Sequence, residues 1–278
     1  MPLFQDQNIE DFPIGNISLS EHHSRLATAG LKFHPHAWLT AADLTELSSN
    51  GNRTLIDERQ TPLAWTGDFP SKENTLKAAG SFLIIHEWDL LRANELYLAA
   101  LPTDFDSLVK KHIEGDIHPL AVIDGFAQIG KGTRILPGVY IEGNVIIGEN
   151  CKIGPNCYLR GNTSIGDNCH IGQSVEIKNS IIRSNTNVGH LSYVGDSVLG
   201  TKVNLGAGTM TSNLRHDGKN HRSMINGALV DTGRRKLGAI IGNGVHTGIN
   251  TSIYPGRKLF PNTSTRPGEI VQHDLHES

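Results

Sequence analysis

The chain has 278 residues, a net charge of −3, 19% charged residues and 6% aromatics. That length holds one large domain or two modest ones. The near-neutral balance implies no general attraction to nucleic acid, and no run is long and apolar enough to span a membrane. The N-terminal stretch MPLFQDQNIEDF lacks a basic region followed by an apolar one, so it is not read as a secretory signal; the expectation is a cytoplasmic protein.

Residues 1–115 carry no repeat and hold all three tryptophans, Trp38, Trp65 and Trp88. Short apolar runs such as Ile14–Leu19, Thr54–Ile56 and Ser81–Ile85 alternate with turn residues. The polar segment Ser48–Arg53 reads as a loop. Leu90, Leu91, Leu98 and Leu101 recur at helical spacing and Pro102 ends the run, which predicts a connecting helix over 88–101. A small α/β N-terminal domain over 1–115 is expected.

From Ile117 to Ile177, every sixth residue is Ile or Leu, eleven in succession. A helix needs a period near 3.6 and an ordinary strand a period of 2. A period of six fits a parallel β-helix, in which short strands turn a corner every six residues and each coil stacks on the last. The residue two before each aliphatic is small or β-branched and shares its inward face. Cys151, Cys157 and Cys169 fall in that series with threonines and valines, which favours core filling over a disulfide or a thiolate metal site. The residue after each aliphatic is the corner, where Gly130, Gly148, Gly154, Gly166 and Gly172 suit a positive φ.

Not every corner is glycine. Asp124, Glu142, Arg160 and Lys178 lie 18 residues apart and form one column if the prism has three sides. Arg160 and Lys178, one coil apart, would repel unless an anion separated them. Two readings stand: a solvated edge with Glu142 partly neutralising Arg160, or a phosphate clamp.

The period then slips, with Ile182, Val188, Val194, Leu199 and Leu205 including two five-residue steps. His190, Tyr193, Asp196, Asn204 and Asn213 cluster here. Periodicity is lost over 214–236, read as a long projecting loop, and returns from Ile241 to Val271. The β-helix domain is therefore expected over 116–278.

Within 175–256 the segments VEIK, GHLSYVGD, VNLGAG, TSNLRHDGK and TGRRKLGAIIGNGVHTGINTSIYPG keep a specific order and spacing. They resemble the acetyltransferase half of the bifunctional glucosamine-1-phosphate acetyltransferase/N-acetylglucosamine-1-phosphate uridylyltransferases, and archaeal-type sugar-1-phosphate nucleotidylyltransferases with the same tail. The resemblance covers roughly 117–274, and HEWDLLRANELYL resembles the helix that precedes the β-helix in those enzymes.

The resemblance implies a mainly β, left-handed parallel β-helix (hexapeptide repeat) that forms a homotrimer, with acetyl-CoA between neighbouring prisms. It implies N-acetyl transfer to an amino-sugar 1-phosphate with His190 as general base and no metal required. Arg160 and Lys178 match the sugar-phosphate ligands, and Tyr193, Asn204 and Asn213 further substrate contacts. A family lysine falls on Lys219 counted forward from Asn213, or on Lys236 counted back from Ile240–Gly242. Ala207 matches a position that holds the cofactor through its backbone, and an amide within Gly206–Gly208 would meet the oxyanion.

The N-terminal part departs from that pattern. It holds about 115 residues with isolated glycines and no Gly-rich phosphate loop, which argues against nucleotidyl transfer and for a shortened remnant or a replacement. That departure motivates an alternative, a non-catalytic or regulatory trimeric β-helix. A zinc hydro-lyase would draw on His170, His190, His221 and His246, but their spacing does not reproduce a three-histidine site, and no metal is expected.

Overall fold

The computed structural model describes residues 2–4, 7–49, 54–101 and 113–276. The stop expected at Pro102, and residues 50–53 of the expected loop, lie outside them; Ser48 and Ser49 close a helix instead.

From Ile113 onward the chain winds as a three-sided parallel β-helix whose faces carry six, eight and seven strands. The six-stranded face runs from Asp116–Ile117 to Asn204–Leu205, the eight-stranded from Val122–Asp124 to Ile270–Val271, and the seven-stranded from Ala127–Ile129 to Lys258–Leu259. Register follows the repeat: Ile141 pairs with Leu159 and Leu159 with Ile177. The five-residue steps shorten the coil by one residue, so Ile177 pairs with Val194 and Ile165 with Ile182.

The inward aliphatics form one continuous buried core with Cys151, Cys157 and Cys169, all free thiols. Burial pushes the Cys157 thiol up to about 12, and Cys151 Sγ accepts from Cys169 N at 3.4 Å. These are packing cysteines. Among the described residues, no group of His, Cys, Asp and Glu is placed to hold a metal ion.

The corner glycines serve a different purpose from the one expected. Of the five, only Gly154 has a positive φ. A Cβ on Gly130 would stand 2.6 Å from Gly148 C, and one on Gly166 2.7 Å from Ser184 N. Close stacking of successive coils excludes the side chain there. Many left-handed positions fall on asparagines instead, as at Asn150 (φ 54), Asn156 (φ 53) and Asn168 (φ 56), and on other glycines such as Gly132 (φ 74) and Gly138 (φ 71).

The N-terminal residues form helices α1 (Leu19–Leu26), α2 (Ala41–Ser49) and α3 (Glu87–Ala99) and a four-stranded mixed sheet. Much of their core is shared with the β-helix. Phe4, Phe12, Trp38, Trp88, Leu90 and Leu91 pack with Ile181, Val198 and Ile240, which point outward from the seven-stranded face. Asn94 of α3 is fully buried and accepts from Gly15 N and Ser164 Oγ, both at 2.9 Å, while its Nδ2 donates to Asn162 O at 3.1 Å. The expected loop 214–236 contains an antiparallel hairpin, Arg222–Ile225 with Ala228–Asp231. Lys258 Nζ pins it by donating to Met224 O at 2.6 Å. No helix among the described residues is long and apolar enough to cross a membrane.

Candidate functional site

Two groups of side chains flank the eight-stranded face, one at each end of its short strands. At the C-terminal end, Arg160 and Lys178 are register partners, one coil apart. Their repulsion is relieved, but not by Glu142 as the spacing suggested. Arg160 Nη2 meets Glu176 Oε1 at 2.7 Å, and Lys178 Nζ meets Asp196 Oδ2 at 2.9 Å. Glu142 instead accepts from the Tyr158 hydroxyl. The shortened coil accounts for the Lys178 contact: the partner of Lys178 is Gly195, and the next residue, Asp196, turns a left-handed corner at φ 50.

Asp196 is 3% exposed and gathers the cluster. It accepts from Lys178, from Asn179 Nδ2 at 2.8 Å and from Asn213 Nδ2 at 2.5 Å. Asn213 Nδ2 also reaches the Tyr193 hydroxyl at 3.0 Å. Gly195 makes the room, since a Cβ there would stand 2.7 Å from Tyr193 Cζ and 2.8 Å from Asn213 Nδ2. Burial, then the nearby Asp196 and Glu176 charges, raise the Tyr193 pKa, so it stays a neutral phenol able to donate.

The chain of contacts continues into α3. Asn179 Nδ2 donates to Glu95 Oε1 at 2.6 Å, and Arg234 binds Glu95 through Nη1 at 3.0 Å and Nη2 at 2.5 Å. Sequence reasoning assigned no role to Glu95, Glu176, Asn179, Asp196 or Arg234. Glu176 lies within VEIK and Asp196 ends GHLSYVGD, so those two were within reach. Glu95 joins only in three dimensions.

The two candidate lysines part company. Leu214 bridges Lys236, and Leu237 N donates to Asn213 O at 3.0 Å, which brings the Lys236 backbone to the Asn213 edge. Lys219 lines a separate cavity with Arg215, Gly218, Asn220, Arg222 and Asp231.

At the N-terminal end of the same strands stands His190. It ends the strand Asn187–His190, is exposed, and pairs in register with Gln173. Its carbonyl accepts from Gly208 N at 3.1 Å and Ser192 Oγ at 2.8 Å. Burial chiefly, then the Lys152 and His190 charges, lower the pKa of neighbouring His170. Asn204 projects from the six-stranded face, in register with Asn187. Gly206 N donates to Thr247 Oγ1 at 2.9 Å and Gly208 N to His190 O, so Ala207 carries the one amide of the three without an acceptor among the described residues. The structure thus brings Arg160, Lys178, Tyr193 and Asn213 together, and His190 near Gly208, but separates the two groups by the width of a face.

Residues 141–264 match the family model described as the GMPPB C-terminal domain. The chain is 33% identical over 256 residues to the bifunctional protein GlmU of Methanocaldococcus jannaschii, covering 92% of this chain and 59% of that protein. It is 42% identical over 102 residues to the bifunctional sugar-1-phosphate nucleotidylyltransferase/acetyltransferase of Sulfurisphaera tokodaii, covering 37% of this chain and 25% of that protein. The chain therefore spans about a quarter to three fifths of the length of these relatives. A UDP-N-acetylglucosamine acyltransferase of Francisella novicida aligns in structure with 19% identity and a TM-score of 0.23, over 55% of this chain and 59% of that one. In repeat, motif and sequence identity, this chain is similar to the hexapeptide-repeat portion of the bifunctional sugar-1-phosphate nucleotidylyltransferase/acetyltransferases.

Proposed function

We propose that this chain is an acetyl-CoA-dependent N-acetyltransferase acting on an amino-sugar 1-phosphate. One observation carries the reading: Lys178, Tyr193 and Asn213 form one hydrogen-bonded cluster around Asp196 with Arg160 in register one coil away, and His190 and the Ala207 amide stand at the opposite edge of the same face. Neither edge is a complete site. Juxtaposing one edge with the other edge of a second copy completes it, and a closed ring of three prisms repeats that contact symmetrically. The open eight-stranded side supports such a contact, with Val122 52%, Met210 45% and Ile270 56% exposed.

The amine must be uncharged to attack the thioester. An imidazole can accept its proton at neutral pH, and His190 takes that role. The substrate phosphate replaces Glu176 and Asp196 as the counter-charge of Arg160 and Lys178. Tyr193, Asn204 and Asn213 orient the sugar, with Lys236 rather than Lys219 beside them. The Ala207 N–H donates to the oxyanion that forms as the amine adds to the thioester carbonyl; collapse expels CoA as the thiol.

The test is CoA thiol release from acetyl-CoA across a panel of amino-sugar 1-phosphates. His190→Ala should lower the rate by at least about a hundredfold with the fold intact. A non-catalytic role is the rival, favoured by the carboxylate already paired with each cation. Wild-type protein that releases no CoA with any acceptor would decide for it.

A further inference from the structure

Below Asn213 on the same edge lies an open cavity of about 610 Å³, roofed by residues 214–222. Its floor continues the Arg160–Lys178–Gly195 column: Thr211 pairs with Ile253 and Ile253 with Val271, so Ser212, Tyr254 and Gln272 follow in line. Its cations outnumber its carboxylates, whereas on the edge above Arg160 and Lys178 each have a carboxylate partner. Arg215, Arg222 and Arg257 line it, against one carboxylate, Asp217. Arg215 holds Asp217 with Nε at 2.8 Å and Nη2 at 2.6 Å. Arg257 is half-buried; its hydrogen bond, Nε to Pro255 O, is long at 3.4 Å, and it forms no ion pair among the described residues.

A half-buried guanidinium without a counter-ion favours an anion, and its planar fork matches two oxygens of a phosphate. Tyr254, 49% exposed, and Leu214, 43% exposed, offer apolar surface beside it for the uncharged part of a ligand. We propose that this cavity is a phosphate-class anion site, separate from the Arg160–Lys178 pair and centred on Arg257. The anion is either a second charged group on the acceptor or a free phosphate compound acting as an effector. The site does not depend on acetyl transfer.

His221 is a built-in reporter. It is 2% exposed, with Nε2 3.2 Å from Asn213 O. Burial chiefly, then the Arg215 and Arg257 charges among smaller contributions, lower its pKa. An anion in the cavity offsets those charges, so its pKa should rise on binding.

The experiment titrates the full chain with inorganic pyrophosphate, read by calorimetry and by the His221 ring resonances. Saturable binding that raises the His221 pKa is expected. Arg257→Gln should weaken it about tenfold, the scale of one charge-assisted contact. Arg257→Lys should keep most of it, and Arg160→Ala, which alters only the phosphate ligands of the edge above, should leave the His221 shift in place. No binding at millimolar pyrophosphate, or binding lost in Arg160→Ala and kept in Arg257→Gln, overturns the proposal. The source follows from a kinetic arm. A KM for an amino-sugar bisphosphate that rises in Arg257→Gln assigns the site to the acceptor, and an unchanged KM with pyrophosphate binding lost assigns it to an effector. Protein that binds pyrophosphate through Arg257 but never releases CoA would sink the acetyltransferase reading and leave this site standing.

Discussion

The seven-stranded and eight-stranded faces share one repeat and one core, yet one is covered and the other open. On the first, the outward residues Ile146, Ser164, Ile181, Val198 and Ile240 are at most 2% exposed, because the N-terminal helices lie on them. On the second, the outward series runs Tyr140, Tyr158, Glu176, Tyr193 and Met210, and none is fully buried. Inward residues build the prism. One outward residue per strand decides whether a face becomes an internal interface or a chemical surface. The N-terminal segment is therefore a structural half of the β-helix as well as its neighbour.

Truncating equivalent outward positions tests that contrast most severely. Ile181→Ala removes buried carbons from a shared core and should cost about 2–5 kcal/mol, read by denaturant unfolding. Met210→Ala, on the open face, should change unfolding of the single chain by less than about 0.5 kcal/mol. If the open face joins copies, Met210→Ala should also weaken their association in sedimentation. Similar stability losses for both would mean that the two faces do not differ as described.

The prism was legible because a six-residue period fits few alternatives, and registers such as Ile141 with Leu159 follow from counting. The covered face was legible too, though it was missed. Val145–Ile146–Ile147, Ile181–Ile182 and Val198–Leu199 each carry an extra aliphatic beside the core residue, in the same column that Ser164 interrupts. The corner glycines were found for the wrong reason, since sequence shows where a side chain is missing but not whether φ or the coil above excludes it. At the site, the Arg160–Lys178 pair was visible from spacing. Its carboxylate partners lie in VEIK and GHLSYVGD but do not follow from column counting, since Glu176 sits two residues before Lys178 and a one-residue deletion re-aims Asp196.

Charge on the open edge provides the next test. Arg160→Ala and Lys178→Ala should each raise KM for an amino-sugar 1-phosphate about tenfold to a hundredfold, since each removes a charge-assisted contact of roughly 1.5–3 kcal/mol. KM for the same sugar without phosphate should hardly move. Equal effects on both sugars would make this edge merely solvated.

Glu95 joins the two faces, standing on α3 while it holds Asn179 and Arg234 at the edge of the site. Glu95→Gln keeps an acceptor for Asn179 but removes the counter-charge of Arg234. It should lower kcat/KM by about tenfold at most, the worth of one partly exposed charged contact. Amide exchange at Leu237, whose N–H donates to Asn213 O, should quicken. Unchanged exchange with lost activity would place the effect of Glu95 elsewhere.

Acid should part the covered face before the prism. His22 and His23 of α1 are 7% and 9% exposed, with Nε2 at 2.9 Å from Ile14 O and 2.6 Å from Ala37 O. Burial lowers both pKa values below 6.5; the carbonyl contacts oppose this only in part, while Arg25 adds to it at His22 and Glu10 counters it at His23. The unfolded chain therefore binds more protons than the folded one once pH drops below about 6.5. The stability present above that value falls as pH decreases toward the folded pKa values, by up to about 1.4 kcal/mol per pH unit for each histidine. All three tryptophans precede the prism, so their fluorescence reads this region while circular dichroism reads the β-helix. Between pH 7 and 5 the tryptophan midpoint in denaturant should fall while the β signal holds. His22→Gln with His23→Gln should flatten the dependence, because amides do not titrate. An unaltered slope in that double variant would assign the acid sensitivity to other groups.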